Sequence, residues 1–286
     1  MNKINIPYCE FYITNVCNMG CVGCNRFNNF NFTGFQKWED YAEVYKEWSQ
    51  QVDFKSTAIL GGEPLLNPTI MSWLRGVSDL WPKAMVRIIS NGTRLDKVAG
   101  LYDLLHQRRR LQLWVGIHNK KHKKDIIDKV ENFLTGPCTR EFHGENTYQQ
   151  YLVITDANGL QVRVEYNWWF HQGAVIQTDG VKSLHTSDPE KAHAICHMQT
   201  CHHFIRGKLY KCGVVALLPE FDQQHPFAIS SEDRQLMNAY QPLSIDANLQ
   251  TKQDFITNLP NAIDQCKFCP EAYNGDQIFA EEKKNL

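Results

Sequence analysis

Hydrophobic and polar positions alternate in two different ways along the first 170 residues of the chain. Short apolar and β-branched runs predict strands at residues 11–14, 56–60, 85–89, 111–117, 151–154 and 161–166. Between them, apolar residues recur three and four positions apart and predict helices at residues 38–52, 67–80, 97–107 and 125–134. Trp38, Tyr45 and Trp48, for example, fall on one face of the first predicted helix.

This alternation favours an α/β fold with parallel strands joined by right-handed crossovers. Ligands of such folds bind at the carboxyl ends of the strands. Three predicted strand ends carry glycine or polar residues, at 61–63, 90–93 and 116–119, and we expect a ligand site there. After about residue 185 the periodicity weakens, and we place a domain boundary near residue 190, between residues 1–190 and residues 191–286.

Charge and hydropathy exclude several classes of protein. Lys and Arg together number 30 and Asp and Glu 31, so a formal charge of −1 argues against a general polyanion binder. No run approaches the roughly 18 apolar residues of a membrane span, and the first residues do not resemble a signal peptide. We therefore expect a cytoplasmic protein with no membrane partner.

Ten cysteines are the unusual feature of the composition. In a secreted protein they would indicate disulfides, but chains that depend on disulfides are usually much smaller. Eight of them fall into two groups, and Cys9 and Cys138 lie outside both. Metal binding is therefore the favoured interpretation.

The first group is Cys17, Cys21 and Cys24, which follow a predicted strand with the spacing Cys-x3-Cys-x2-Cys. An iron–sulfur cluster held by three thiolates keeps one iron open for another ligand. This spacing resembles the signature of the radical S-adenosylmethionine (radical SAM) enzymes. The alternative is a zinc loop with Cys9 as the fourth ligand, which leaves the motif at residues 61–64 unexplained.

Two further motifs extend the resemblance to about residues 9–170. Gly61-Gly62-Glu63-Pro64 resembles the family's glycine-rich strand end, which holds the amino group of SAM. Ser90-Asn91-Gly92-Thr93 lies where the family has its next strand-end motif, close to the ribose and carboxylate of SAM.

The resemblance implies a partial (β/α)6 barrel that binds a 4Fe–4S cluster and SAM. Reduction would cleave SAM to methionine and a 5′-deoxyadenosyl radical, which abstracts hydrogen from a substrate. Many family members have an aromatic residue before the third cysteine, near the adenine, but Gly23 stands there, so we expect Phe27 to make this contact. His118, at a predicted strand end, is a further candidate for contact with SAM or substrate, or a structural histidine. The predicted SAM contacts are thus Gly61, Gly62, Glu63, Ser90, Asn91, His118 and Phe27.

The second group of cysteines comprises Cys196, Cys201, Cys212, Cys266 and Cys269. Gly207-x4-Cys212 resembles the SPASM and twitch extensions of some radical SAM enzymes, and the short series after it favours the twitch form, with one auxiliary 4Fe–4S cluster. We assign Cys201, Cys212, Cys266 and Cys269 as ligands, since Cys201 lies across a predicted hairpin from Cys212, and keep Cys196 in reserve. A structural zinc site, with His197, His202 or His203 nearby, is the alternative.

The alternation of side chains along two predicted strands also indicates residues that could face a substrate. Gln112, Trp114 and His118 share one face of their strand, and Arg163 and Glu165 share a face of another. They indicate either a polar barrel lumen or an exposed strand face. The sequence singles out no catalytic residue.

The predicted activity is that of a radical SAM oxidoreductase or transforming enzyme. We expect a small polar or nucleotide-like substrate, a reaction assisted by the auxiliary cluster, and a reducing partner such as flavodoxin or ferredoxin. A peptide- or protein-modifying maturase is one alternative. A non-catalytic iron–sulfur or zinc protein of the same family is another.

Overall fold

Strands and helices alternate as predicted in the computed structural model, which describes residues 3–21, 23–144, 150–167, 175–178, 181–196 and 198–272. The strands of the described residues are Ile4–Tyr12 (β1), Val52–Leu60 (β2), Met85–Ser90 (β3), Leu111–Ile117 (β4), Thr139–His143 (β5), Tyr151–Thr155 (β6), Gln161–Tyr166 (β7), Val175–Thr178 (β8), Val181–Leu184 (β9), His202–Ile205 (β10) and Lys208–Tyr210 (β11). The helices are Trp38–Gln51 (α1), Ile70–Leu80 (α2), Leu101–Gln107 (α3), Lys123–Phe133 (α4), Pro189–Ala194 (α5), Gly213–Gln224 (α6), Ser231–Ala239 (α7) and Leu249–Asn258 (α8).

Several of the predicted element boundaries were wrong, and two of them have a clear physical reason. The strand predicted at residues 11–14 begins at Ile4, because residues 4–6 pair in register with residues 52–54 at the start of β2. The helix predicted from residue 97 begins at Leu101, since Gly100 has a φ of +75° and interrupts the helical backbone.

Nine of the strands form one sheet, in the order β11-β10-β1-β2-β3-β4-β7-β6-β5. The expected parallel pairing is confirmed from β10 through β1, β2, β3 and β4 to β7. Both edges are antiparallel, which the alternation did not predict. Only five residues separate β6 from β7, too few for the crossover that parallel neighbours need. A partial barrel stays a prediction.

The strand β10 follows the predicted domain boundary and pairs directly with β1, with Glu10 opposite His203. The two predicted domains therefore share one sheet, and the boundary near residue 190 stays a prediction. The hairpin predicted around Gly207 is confirmed, because β10 and β11 pair as antiparallel neighbours.

A two-residue turn closes this hairpin. Arg206 and Gly207 have φ angles of +51° and +75°, the positive pair that a tight type I′ turn needs. A Cβ on Gly207 would lie 2.8 Å from a methyl of Val44 in α1, so only glycine fits. Trp48 of α1 donates a hydrogen bond of 2.8 Å to the Gly207 carbonyl, which anchors the hairpin to the first helix.

Apolar side chains cover one face of the sheet and part of the other. On the helix-covered face, Phe11 packs against Tyr45, Trp81 and Phe204, with ring centroids 5.1–5.4 Å apart. The opposite face carries a smaller apolar core to which α6 contributes Leu217 and other buried residues. The strand ends are thereby fixed between two packed layers.

No helix in the described part of the chain combines the length and apolar character that crossing a membrane requires. All ten cysteines lie within the described residues and are free thiols. The disulfide interpretation is thus not supported.

Candidate functional site

A cavity of about 270 Å³ lies at the carboxyl ends of the central strands. Its walls bring together nine residues predicted from the sequence: Cys17, Cys21, Cys24, Gly61, Gly62, Glu63, Ser90, Asn91 and His118. All predicted ligands of SAM and its cluster therefore line one space, with the exception of Phe27.

The three cysteines are held by a loop between β1 and α1. Asn28 is buried at its base and donates hydrogen bonds of 2.8 Å to the Tyr12 hydroxyl and to the Asn15 carbonyl. The backbone nitrogen of Cys24 donates to the Cys21 carbonyl at 3.1 Å, which turns the chain between the second and third cysteines. The loop thus presents three sulfur ligands to one space.

Gly61 and Gly62 allow this loop to pack against the end of β2. A Cβ on Gly61 would lie 2.5 Å from the Thr14 carbonyl oxygen, and one on Gly62 would lie 2.2 Å from that of Val16. The backbone nitrogen of Gly62 donates to the Thr14 carbonyl at 2.7 Å. Glycine is therefore required at both positions because the cysteine loop packs directly against them.

Glu63 joins the ends of β2 and β3. Its buried carboxylate accepts hydrogen bonds from the Ser90 hydroxyl at 2.8 Å and from the backbone nitrogens of Asn91, at 2.7 Å, and Leu65, at 3.0 Å. Burial raises the pKa of Glu63 to about 7, although these donors act in the opposite direction. An ammonium group in the cavity would favour the ionised carboxylate.

Asn91 ties the end of β3 to the cysteine loop through a residue that sequence reasoning missed. Its side-chain nitrogen donates to Asn18 at 2.9 Å, and Asn18 in turn donates to the Thr93 hydroxyl at 2.8 Å. Asn18 is buried, but a single asparagine between two cysteines gives no periodic or motif signal.

His118 reaches the cavity from the end of β4. Burial lowers the pKa of its imidazole to about 4, so the ring is neutral at physiological pH. A Cβ on Gly116 would lie 3.1 Å from His118 Nε2 and 2.9 Å from Asn167 Nδ2, so the glycine leaves space for both side chains.

Phe27 lies in the core rather than in the cavity, contrary to the expected adenine contact. Its backbone has a φ of +57°, and its ring stacks on Phe221 of α6 at a centroid distance of 5.3 Å. Only 1% of Phe27 is exposed. The positive φ turns the ring away from the cavity, an effect that the residue order does not reveal.

Among the second group of cysteines, the structure brings together Cys196, Cys212, Cys266 and Cys269. Burial, followed by the charges of Cys212, Cys196 and Cys266, raises the pKa of the Cys269 thiol well above its ordinary value. The charges of Cys196 and Cys266 also contribute to the raised pKa of Cys212. Cys196, held in reserve from the sequence, therefore lies with the other three, and its role as a ligand stays a prediction.

Cys201, assigned as a ligand from the sequence, lies apart from these four. Burial and then the Glu10 carboxylate raise the pKa of its thiol, while Arg26 opposes them. From the sequence, Cys201 was expected to lie opposite Cys212 across the hairpin. The strand β11 ends at Tyr210, however, so the pairing of the two strands does not determine the position of Cys212. Cys201 precedes β10 and shares a face with His203, toward Glu10.

Glu10 is the centre of a buried charged cluster. Arg26 Nη2 and His203 Nε2 lie 2.6 Å and 2.9 Å from its carboxylate. Burial opposes ionisation, but Arg26 and His203 hold the pKa of Glu10 well below its ordinary value. Together with Cys201 these groups could suit a metal ion, but the Arg26 guanidinium already supplies the positive charge.

Sulfur spacing bears on the zinc alternative. A tetrahedral zinc ion, with Zn–S bonds of about 2.3 Å, would hold its sulfur ligands about 3.8 Å apart. In the described part of the chain, only Glu10, Cys201 and His203 place three ligand atoms within 4.8 Å of one another. No three of the four grouped sulfurs lie that close together, and the auxiliary cluster stays a prediction. His202 bonds instead to the Lys211 carbonyl, and His197 lies outside the described residues.

Comparison with known proteins was made on both sequence and fold. Residues 11–134 match the family model described as the Radical SAM superfamily. Among solved structures, Streptococcus suis SuiB bound to S-adenosylmethionine is similar at 17% identity and a TM-score of 0.37, over 46% of this chain and 32% of SuiB. BtrN in complex with AdoMet and 2-DOIA is similar at 16% identity and a TM-score of 0.46, over 94% of each chain. The chain spans about a third of the length of SuiB, and a search of curated protein sequences found no match.

Proposed function

We propose that this chain, whose residues 11–134 form a radical SAM domain, is an enzyme that reductively cleaves SAM and abstracts hydrogen from a small polar or nucleotide-like substrate. The observation that carries the proposal is the single cavity shared by Cys17, Cys21, Cys24 and the ends of β2, β3 and β4. When bound there, the cluster and SAM supply the electron and the breakable carbon–sulfur bond that generate the radical.

The residues of this chain hold and shield these groups. Gly61 and Gly62 let the cysteine loop close over the strand ends, and Glu63 and Asn91 fix the polar wall that would face the methionyl part of SAM. Leu60 and Ile89 contribute an apolar wall that limits the entry of water. His118, neutral because of its burial, can accept or donate one hydrogen bond without adding charge.

The second cysteine group is proposed to hold an auxiliary 4Fe–4S cluster through Cys196, Cys212, Cys266 and Cys269. Cys212 is the residue that precedes α6, and Cys266 and Cys269 flank one short turn, so distant segments converge on one site. Four protein ligands leave no open metal position for substrate. This supports an electron-accepting role, and therefore a net oxidation of the substrate.

Electrons for SAM cleavage are proposed to come from a small reductant such as flavodoxin or ferredoxin. Seven cluster thiolates and the three remaining thiols would be stable in a reducing compartment, which supports a cytoplasmic location.

The test is an anaerobic assay of the reconstituted full chain with dithionite and SAM. Wild type should produce 5′-deoxyadenosine, and Cys21→Ala, which removes one of the three cluster ligands, should produce none. Cys138→Ala is the matched control, because this half-buried thiol belongs to neither group and should leave production unchanged. A reduced wild-type protein with a full cluster that forms no 5′-deoxyadenosine would contradict the proposed function.

A further inference from the structure

One face of the sheet carries stacked guanidinium groups and aromatic rings, here named the arginine–aromatic row. The Arg87 guanidinium carbon lies 5.6 Å from the Tyr8 ring centroid and 4.2 Å from that of Trp114. On the other side, Arg163 lies 4.2 Å from the Trp114 ring and 3.7 Å from the Tyr151 ring. The row comprises Tyr8, Arg87, Trp114, Arg163 and Tyr151.

The row continues from the cavity at the strand ends toward the strand starts. Ile89 lines the 270 Å³ cavity, and Arg87 lies two residues earlier on the same face of β3, about 7 Å along the strand. Trp114, Tyr151 and Arg163 line a second cavity, of about 370 Å³, near the starts of β4 and β7. A ligand that extends from the first cavity along this face would therefore meet Arg87 first.

The acidic side chains on this face have other partners. Glu165 pairs with Arg163 at 2.9 Å. Glu10 lies in register with Arg87, with the small side chain of Ala58 between them, but it pairs with Arg26 and His203.

Arg87 therefore has no paired counter-charge in the described part of the chain. Among the described residues it forms no ion pair, and its buried Nε has no hydrogen-bond partner. Its contacts with Tyr8 and Trp114 hold the guanidinium in place but do not neutralise it. Arg87 is half-buried, and its guanidinium has no ion-pair partner among the described residues, so an anion is the partner that this position lacks.

We propose that Arg87 binds an anionic group of the substrate, a carboxylate or a phosphate, with Arg163 as its neighbour across Trp114. This inference deepens the proposed function and rests on it, since it assigns the anion to the substrate of the same cavity. The planar guanidinium suits two parallel hydrogen bonds to either anion. Stacking on Trp114 pre-orders the side chain and reduces the entropy lost on binding.

The first test measures anion binding by calorimetry on the reconstituted holoprotein, with inorganic phosphate in one arm and malonate in the other. Wild type should bind at least one of them saturably, and the preferred arm distinguishes a phosphorylated from a carboxylic substrate. Arg87→Met, which keeps the length but loses the charge, should weaken that binding by about 10- to 100-fold. Arg75→Met, on the exposed face of α2, is the matched control and should bind like wild type.

The second test needs no variant, so it holds even if Arg87→Met does not fold. Phenylglyoxal modification of wild type, mapped by mass spectrometry, should be slowed at Arg87 but not at Arg75 by the preferred anion. Wild type that binds neither anion, Arg87→Met that binds with wild-type affinity, or equal modification at Arg87 with and without the anion would overturn the inference. SAM cleavage by wild type is measured separately, so a failure here leaves the proposed function standing.

Discussion

The backbone nitrogen of Asn91 donates a hydrogen bond of 2.7 Å to Glu63, which joins the ends of two adjacent strands through one buried carboxylate. Burial raises the pKa of this carboxylate from 4.5 to about 7. Between these two pH values the folded chain keeps a proton on Glu63 that the unfolded chain releases. The free energy of unfolding therefore falls as pH rises through this window, by ~3 kcal/mol in all.

Glu63→Gln cannot ionise and should lose this part of the pH dependence. We expect the difference in Tm between the variant and wild type to change steadily from pH 5 to pH 7 and to level off above pH 8. The altered hydrogen bonds of the variant shift its Tm by the same amount at every pH, so they do not change how the Tm difference varies with pH. Parallel Tm profiles of the two proteins across this range would contradict the raised pKa.

Gly62→Ala should prevent the cysteine loop from closing. The added Cβ would lie 2.2 Å from the Val16 carbonyl oxygen, and neither backbone can yield without moving Cys17. We expect a loss of stability of about 1–3 kcal/mol and a reconstituted protein that lacks the iron of the first cluster. Iron analysis and the visible absorbance measure this. Gly159→Ala, at a glycine with no atom within 4 Å of the added Cβ, should retain its iron.

The choice between Cys196 and Cys201 can be decided by iron content. Wild type with two clusters should contain about eight irons per chain. Cys196→Ala should retain about four, because it removes a ligand of the auxiliary cluster, whereas Cys201→Ala should retain all eight. The opposite pattern would return Cys201 to the ligand set. About four irons and one zinc in wild type would support the zinc alternative.

Gly207→Ala should destabilise the hairpin that leads to Cys212. Both Gly207 and Gly100 have a φ of +75°, but a Cβ would lie 2.8 Å from Val44 at the first and no nearer than 3.7 Å to Met71 at the second. Gly100→Ala therefore serves as a control for backbone strain alone. We expect Gly207→Ala to cost about 1–3 kcal/mol more, measured by denaturant unfolding. Equal losses in the two variants would mean that the contact with Val44 is easily relieved.

Local periodicity predicted the order of the central strands and helices, because each element buries one face. The strand-end rule then predicted that Glu63, Ser90 and His118 lie at one ligand site, and these residues line one cavity together with Cys17. These inferences succeed because they depend only on neighbouring residues and on a general property of parallel sheets.

The remaining features depend on long-range contacts or on single backbone angles. The pairing of Glu10 with Arg26 joins a strand to a loop 16 residues away, and no pattern marks it. Phe27 was assigned to the wrong place because one positive φ redirects its ring. The structure places Cys196 rather than Cys201 beside Cys212, Cys266 and Cys269, because the register of the hairpin does not extend beyond the last paired residue of β11.

The pairing of β1 with β10 has a consequence for how the chain is made. Cys9 and His202 are partners across the sheet, so one edge of β1 stays unpaired until some 190 further residues have been synthesised. At translation rates of about 5–20 residues per second, this takes roughly 10–40 s. An open strand edge is a template for pairing with other chains during that interval. We therefore expect the growing chain to need chaperone protection during that interval.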